Sequence, residues 1–254
     1  MRLATFNILH GRQGPHGEVD LDRFASAVAG LDADVLALQE VDRDQPRSHG
    51  SDLTAIAAEA MGAAEHRFAA TLAGEPGVWT AATGDLQPDT ATYGIALLSR
   101  FPVRSWRRIR LPEPRRRVPV RFPGHRWPSL VHDEPRAALV AEVEAPLGLV
   151  TVAATHLSFV PVRNRGQLRR LARELRDVPG PLVVLGDLNT AGDRPARATG
   201  WTPLVDAPTF PVVDPREQLD HVLTAGGLCA AEPGRSVDTG VSDHRALVVD
   251  VRAC

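Results

Sequence analysis

Polar side chains that could bind a metal ion or transfer protons recur where apolar, strand-like runs of this sequence begin or end. The runs are RLATFNI, DVLALQE, VAATH, LVVLGDLN, LDHVL and SDHRALVVDV. In chain order the polar residues are Asn7, Glu40, His156, Asp187, Asn189, Asp220, Asp243 and His244. Strand ends present side chains on rigid supports at one rim of a sheet. We therefore expect these residues to form one site.

The chemistry of this set favours a hard cation. It is rich in carboxylate and amide oxygens and contains no thiol, a mixture that suits Mg²⁺ or Mn²⁺ with retained waters better than structural zinc. Each residue alone also has an ordinary explanation, because an Asp at a strand end is commonly a turn or capping residue. The ordered set is what indicates a metal site. We interpret the remaining candidates His10, His16 and His221 as structural.

The elements that must position these residues alternate between strands and helices. Helical spacing of apolar residues predicts helices over 19–31, 51–62 and 162–178, and a hairpin is predicted to turn at Pro146–Gly148. Several strands with two or three helices between them predict an α/β sandwich, with sheets inside and helices outside. The stretch from about 104 to 135 is rich in Arg and Pro, without an obvious strand after about residue 111. We interpret it as a long surface insertion.

Composition sets further limits. A chain of 254 residues suits one large α/β domain or two small ones. The net charge is −2, and all 29 basic residues are Arg. Two cysteines, Cys229 and Cys254, make neither a disulfide framework nor a zinc site. No apolar run reaches the length of a membrane span, and the N-terminus does not read as a signal peptide, so a cytoplasmic location is expected.

The ordered motifs resemble the endonuclease/exonuclease/phosphatase superfamily of DNase I-like, metal-dependent phosphohydrolases. The similarity extends over nearly the whole chain through TFNILHG, LALQEVD, YGIALLSRFP, EPRAAL, ATHLS, VLGDLNT, TFP, LDHVL and SDHRALVVDV. It implies a four-layer α/β sandwich, in which two packed mixed sheets are flanked by helices and the site lies at one edge. It also implies one such domain over residues 1–254, carrying the insertion.

The resemblance also assigns roles to single residues. Glu40 corresponds to the main ligand of Mg²⁺, with Mn²⁺ or Ca²⁺ as alternatives, and Asn7 and Asp243 lie at the metal. Asp187 would orient or deprotonate the attacking water. His244 would act as a general base or as a cation that stabilises the phosphate, and Asp220 would orient it. Asn189, His156 and Arg136 would bind the phosphate.

Two positions refine the resemblance. A histidine at position 156 is typical of the DNase I, sphingomyelinase and inositol-phosphatase branches and argues against abasic-site repair. Some nucleases carry a second metal-binding acid two residues after the first Asn, where this chain has Leu9. The sequence therefore favours one principal metal ion.

The substrate is less well defined by the sequence. Residues 100–136 hold 11 Arg against three acids, and the helix predicted at 162–178 adds six Arg, so a local basic rim could attract an anionic substrate. The negative net charge and the 5% aromatic content argue against nucleic acid. We expect a monomeric phosphoesterase acting on a small or lipid-derived phosphate ester. A nuclease is the main alternative, and a non-catalytic binding protein on the same scaffold is the second.

Overall fold

The computed structural model describes residues 1–14, 17–82, 90–112, 117–120, 126–127, 129–131 and 133–254. Within these residues the strands, in chain order, are β1 (Arg2–Asn7), β2 (Val35–Arg43), β3 (Glu65–Ala73), β4 (Thr80–Ala81), β5 (Thr92–Ser99), β6 (Val103–Arg110), β7 (Val118–Val120), β8 (Ser129–Val131), β9 (Ala137–Ala145), β10 (Gly148–His156), β11 (Leu182–Asp187), β12 (Thr202–Pro203), β13 (Asp220–Ala225), β14 (Leu228–Ala230), β15 (Arg235–Val237) and β16 (Ala246–Ala253). The helices are α1 (Leu21–Leu31), α2 (Leu53–Met61), α3 (Pro161–Glu174) and α4 (Arg194–Thr199), with single 3₁₀ turns at Leu9–Gly11 and Pro46–Ser48.

Local sequence explains the helix boundaries. At the start of α1 the Asp20 side chain accepts a hydrogen bond from the Arg23 amide at 3.0 Å, which satisfies one amide that has no partner inside the helix. Asp52 caps α2 in the same way. Helix α2 ends at Gly62, whose φ of 67° is a left-handed conformation that glycine adopts at little cost. These helices occur where apolar spacing predicts them.

Two mixed sheets form the centre of the fold. The first has the strand order β14-β16-β1-β2-β5-β3-β4, with β15 also paired to β16, and the second has the order β12-β13-β11-β10-β9-β6. Within them β1 runs parallel to β2 and β10 runs parallel to β11, whereas the other pairs are antiparallel. The predicted hairpin is present, because Gly148 pairs with Ala145 at the turn between β9 and β10.

Three apolar clusters separate four layers. The central cluster joins the inner faces of both sheets and includes Leu3, Val35, Val152 and Leu185. A second cluster packs α1 and α2 on the outer face of the first sheet, and a third packs α3 on the outer face of the second sheet. Burial of these faces supplies the main stabilisation. The architecture is the four-layer α/β sandwich that the sequence predicts.

The predicted N-terminal boundary of the insertion, at about residue 104, is wrong. Residues 104–110 belong to β6, which pairs with β9 as the edge strand of the second sheet, so they are sheet and not loop. Exposed arginines at positions 104, 107 and 110 hide this strand, because charged side chains on an edge strand hinder pairing with another chain and interrupt the apolar pattern. Further along, β7 pairs with β8, so strand structure also follows residue 111. Arg115 and Arg116, which belong to the Arg-rich part of the predicted insertion, lie outside the described residues, as does His16.

The two cysteines, which the sequence analysis treats as thiols, form a disulfide. Pairing of β14 with β16 aligns Cys229 with Arg252, and the Cys254 amide donates a hydrogen bond to the Gly227 carbonyl at 3.1 Å. The two Cys Cα atoms are thereby 5.2 Å apart, although 25 positions separate them in sequence. Sheet register, which the sequence alone does not reveal, makes the bond geometrically accessible.

Across the described ranges, no helix combines the length and apolarity that crossing a bilayer requires.

Candidate active site

The predicted site residues meet at one edge shared by both sheets. Asn7, His156 and Asp187 end the strands β1, β10 and β11, and Asp220 begins the antiparallel β13. The register places His156 beside Asp187 and Asp187 beside Asp220. Parallel and antiparallel strands therefore deliver their polar ends to the same place.

Glu40 reaches this edge through a β-bulge. The β2–β5 register shifts between Gln39 and Val41, and Glu40 adopts a φ of 59°. A bulge changes the direction of a side chain without ending the strand. The strand consequently continues to Arg43, which corrects the expectation that Glu40 ends it. Positive φ is costly for a residue with a side chain, and such conformations concentrate at functional sites.

Asn7 links the two acidic residues of this edge. Its Nδ2 donates hydrogen bonds to Glu40 Oε1 and to Asp187 Oδ2, each at 3.1 Å, while its Oδ1 accepts from the Leu9 amide at 3.2 Å. Burial raises the pKa of Glu40, the Asn7 hydrogen bond opposes this effect, and the charges of Glu134 and Asp243 add to it. Negative charge is thus concentrated around Glu40.

The donor set around Glu40 suits a divalent ion. Oxygen atoms of Glu40, Asn7 and Asp243 are hard ligands, and the acidic surroundings of Glu40 would be relieved by a cation. Asp187, Asp220 and His244 also place potential ligand atoms within 4.8 Å of one another. That second group is less suitable, because Asp220 Oδ2 and His244 Nδ1 are already hydrogen-bonded to each other at 2.8 Å.

His244 and Asp220 form the buried pair that the resemblance implies, across 24 positions of sequence. Thr209 Oγ1 accepts a hydrogen bond from the Asp220 amide at 3.3 Å, and the ring of Phe210 lies 4.9 Å from that of His244. Burial alone would lower the pKa of His244, but the charge and hydrogen bond of Asp220 outweigh it and raise the pKa to about 10. The imidazole is therefore protonated at neutral pH in this arrangement. Its Nε2 lies 3.9 Å from Asp187 Oδ2.

Asp187 lies at the centre of the site. Burial, followed by the charge of Asp220, raises its pKa to about 7, while the charge of His244 and hydrogen bonds from the Asn189 amide and Asn7 oppose the rise. The Asn189 amide donates to Asp187 Oδ1 at 2.8 Å. A carboxyl group with a pKa near neutrality is suited to accepting a proton from water.

Gly186 lets β11 and β10 lie close together just before Asp187. A Cβ atom at this position would clash with the Thr155 carbonyl oxygen on β10. Only glycine therefore allows β11 to approach β10 this closely. Asn189, whose φ is 47°, then turns its side chain back toward β10. Its Nδ2 lies 3.2 Å from His156 Nε2 and donates to the Leu157 carbonyl at 2.9 Å.

His156 and Arg136 form the other wall of the site. His156 Nε2 lies 3.5 Å from Asp187 Oδ2. Burial, then the positive charges of Arg136 and His244, lower the pKa of His156 well below its usual value, so this imidazole is neutral. Arg136 is buried and pairs with Glu134 at 3.1 Å, while its Nε atom has no hydrogen-bond partner among the described residues. A buried guanidinium with an unused donor is suited to binding a phosphate oxygen.

Two of the histidines interpreted as structural, His10 and His221, lie in the described residues and have different surroundings. His221 Nε2 lies 2.8 Å from the Thr190 carbonyl oxygen and so supports the loop that carries Asn189. His10 is buried, and burial together with the charges of Arg47 and Arg12 lowers its pKa to about 3. A structural interpretation fits both residues.

The sequence analysis missed an aromatic and basic cluster beside Glu40. Arg47 makes two hydrogen bonds of 2.7 Å to the buried Asp42, and its guanidinium lies 5.7 Å from the ring of Trp79 and 5.5 Å from that of Tyr93. The charge of Glu40 contributes to raising the pKa of both Tyr93 and Arg47. In the sequence only Asp42, two residues after Glu40, could have indicated this cluster. Trp79 and Tyr93 come from distant segments, so no local pattern joins them to Arg47.

Comparisons with known proteins identify the family and the fold of this chain. Residues 4–244 match the model of the Endonuclease/Exonuclease/phosphatase family. No curated protein sequence matches the chain. An endonuclease/exonuclease/phosphatase from Beutenbergia cavernae is 24% identical, with a TM-score of 0.73 over 100% of this chain and 71% of that one.

Two solved structures with functional descriptions are also similar. Mannosyl-6-phosphatase Bt3783 of Bacteroides thetaiotaomicron is 12% identical, with a TM-score of 0.65 over 99% of each chain. The human Nocturnin catalytic domain is 17% identical, with a TM-score of 0.59 over 100% of this chain and 94% of that one. At these identities the structural likeness establishes the fold and not the substrate.

Proposed function

Since this chain belongs to the endonuclease/exonuclease/phosphatase family, whose members hydrolyse phosphoester bonds, we propose that it is a divalent-metal-dependent hydrolase of phosphoric esters. The observation that carries the proposal is one continuous polar network. Asn7 bonds to both Glu40 and Asp187, and Asp187 lies between His156 and His244. The network combines a cation site, a proton acceptor and phosphate-binding groups.

In this proposal Glu40, Asn7 and Asp243 hold one Mg²⁺, with Mn²⁺ or Ca²⁺ as alternatives. A bound divalent ion would offset the negative charge that develops on the phosphate oxygens. Leu9 occupies the position where a second acidic ligand would be expected, which favours a single principal ion. The test of metal identity is activity restored by each ion after chelation.

The protein's own groups then divide the remaining work. Asp187 orients the attacking water and accepts its proton, a role supported by its pKa of about 7. Asn189, neutral His156 and Arg136 hold the phosphate. Of the two roles considered for His244, the raised pKa favours the phosphate-stabilising cation, with Asp220 fixing its orientation.

The proposed substrate is a phosphodiester or phosphomonoester of a small or lipid-derived molecule. The test is hydrolysis of bis(p-nitrophenyl) phosphate and p-nitrophenyl phosphate with Mg²⁺, Mn²⁺ or EDTA, with Asp187→Asn as the inactive control. We expect metal-dependent release of nitrophenol, and the faster substrate identifies a diesterase or a monoesterase. Nicking of a supercoiled plasmid, tested in parallel, would favour the nuclease alternative. No hydrolysis of any substrate with any ion would favour the non-catalytic alternative.

The cytoplasmic and monomeric states stay predictions. Disulfides persist mainly in oxidising compartments, so the pairing of Cys229 with Cys254 bears directly on location. Rapid alkylation of free thiols in intact cells would measure the redox state. Reduced cysteines in the native host would agree with the cytoplasm, whereas a fully oxidised pair would argue against it. Sedimentation of the purified protein would measure its oligomeric state.

A further inference from the structure

A groove lined by arginines adjoins the proposed phosphate site at Asn189. Its volume is about 680 Å³, which lies in the range of small-molecule sites. Its walls come from α3, from the segment that joins β11 to α4, from α4 itself and from the residues just before β13. The arginines that line it are Arg165, Arg169, Arg194 and Arg197.

Hydrogen bonds fix this groove to the loop that carries Asn189. Asn164 Nδ2 donates to the Leu188 carbonyl at 2.6 Å, and Thr190 Oγ1 donates to Asn164 Oδ1 at 2.9 Å. The first turn of α3 is therefore tied to both neighbours of Asn189. Arg165 follows Asn164 directly, so its backbone is held beside the proposed phosphate site.

The charge of the groove is unbalanced. Against its four arginines the lining contains one acid, Glu217, which gives a net charge of +3. Arg197 pairs with Asp193 at 3.0 Å, but within the described ranges Arg165, Arg169 and Arg194 form no ion pair. These four exposed arginines belong to two helices, α3 and α4, that line the same concavity. Like charges held together repel, and a bound anion relieves the repulsion.

Apolar residues also line the groove. Leu168 of α3 and Ala198 of α4 line it between the arginines. This arrangement suits a molecule with a carbon body and a second anionic group. We propose that the groove binds a phosphate group of the substrate other than the one that is hydrolysed. This inference rests on the proposed function, and it specifies the substrate as a small ester that carries two phosphate groups.

The groove has a natural internal control. Beyond Arg169 a second cavity of about 680 Å³ continues along α3 and is lined by Arg173 and Arg176. A small bisphosphate held at Asn189 would contact the first cavity, whereas a nucleic acid strand would extend through both. The variants R165S/R169S and R173S/R176S remove equal charge from exposed positions of the same segment and so form a matched pair.

The experiment measures binding rather than turnover. All proteins carry Asp187→Asn and are titrated calorimetrically, in Mg²⁺, with fructose 1,6-bisphosphate and with fructose 6-phosphate. We expect the bisphosphate to bind more tightly than the monophosphate, and the ratio of the two dissociation constants defines its advantage. R165S/R169S should reduce this advantage about tenfold, because charge-assisted contacts to phosphate are lost. R173S/R176S should retain the advantage. Increasing ionic strength should reduce the advantage of the parent protein toward that of R165S/R169S.

Three outcomes would overturn the inference. An unchanged advantage in R165S/R169S would make the groove a solvated surface. An equal loss in both variants would indicate a general charge effect or a longer ligand, and tighter binding of a single-stranded oligonucleotide that depends on Arg173 and Arg176 would assign the groove to nucleic acid. Failure of the proposed function is a separate result, since it would appear as absent metal-dependent hydrolysis by the unmodified protein.

Discussion

The Asp220–His244 pair gives the most quantitative prediction. The folded-state pKa of His244 is raised to about 10 from an ordinary value of 6.5. At about 1.36 kcal/mol for each tenfold change in the protonation equilibrium, that difference corresponds to an upper bound of about 5 kcal/mol for stabilising the charged ring. Asp220→Asn keeps the shape of the side chain and removes its charge. Because burial remains, we expect the pKa of His244 to fall below 7 in this variant.

The stability of the protein should change in a defined pH range. Since the pKa of His244 is higher in the folded protein than in the unfolded chain, its contribution is complete below about pH 6.5 and disappears as the pH rises toward about 10. The loss of unfolding free energy in Asp220→Asn should therefore be largest near pH 6 and smallest near pH 10. It should remain below the upper bound, because neutralising Asp220 also relieves repulsion with Asp187.

Two measurements check this reasoning. Nitrogen-detected NMR titration of the histidines with EDTA present gives the pKa of His244 directly, and urea unfolding at several pH values gives the stability difference. In catalysis, His244→Ala should reduce kcat by about 10²–10⁴-fold, and adding Asp220→Asn should cost nothing more, because an orienting group has no role without its partner. A pKa of His244 that stays above 8 in Asp220→Asn would refute the argument, and additive losses in kcat would show that the two residues act separately.

Other predictions address the metal site, the disulfide and acid stability. Glu40→Gln should raise the Mg²⁺ concentration needed for half-maximal activity at least about tenfold, whereas the exposed Glu144→Gln control should not; equal affinities would exclude Glu40 as a ligand. Cys229→Ser should lower the free energy of unfolding by up to about 3.5 kcal/mol, because a bond across 25 residues restricts the unfolded chain by about that amount. Chemical reduction of the unmodified protein should give the same loss in urea titrations. Because the pKa of His10 is lowered to about 3, its stabilising effect is complete above about pH 6.5 and is lost progressively as the pH falls toward about 3. Asn tolerates the positive φ of 49° at position 10. In His10→Asn the urea midpoint of unfolding should therefore fall less steeply as the pH is lowered, and an unchanged slope of midpoint against pH would contradict the burial of a neutral ring.

Several features of the fold were predictable because their signals are local. The apolar spacing of Phe24, Val28 and Leu31 defines the buried face of α1, and Asp20 marks its start. The turn at Pro146–Gly148 and the polar ends of the apolar strands are similarly short-range. Ordered motifs along the chain then indicated the four-layer architecture and the set of residues at its edge. Strand β3, which carries exposed residues at its start, and the arginine-rich β6 escaped detection, because edge and surface strands lack a continuous apolar pattern.

The types of residue in the site therefore follow from local sequence motifs, whereas their arrangement follows from the tertiary structure. The hydrogen bond from Asn7 to Asp187 joins residues 180 positions apart, and the Cys229–Cys254 bond follows from the register of β14 against β16. Likewise, the negative net charge of the chain argued against nucleic acid and the arginines of the helix predicted at 162–178 indicated a basic rim, but only the tertiary structure brings four arginines of α3 and α4 to one groove. Composition averages charge over the molecule, whereas electrostatic attraction falls off within about 8 Å at physiological ionic strength, so the local arrangement governs what binds.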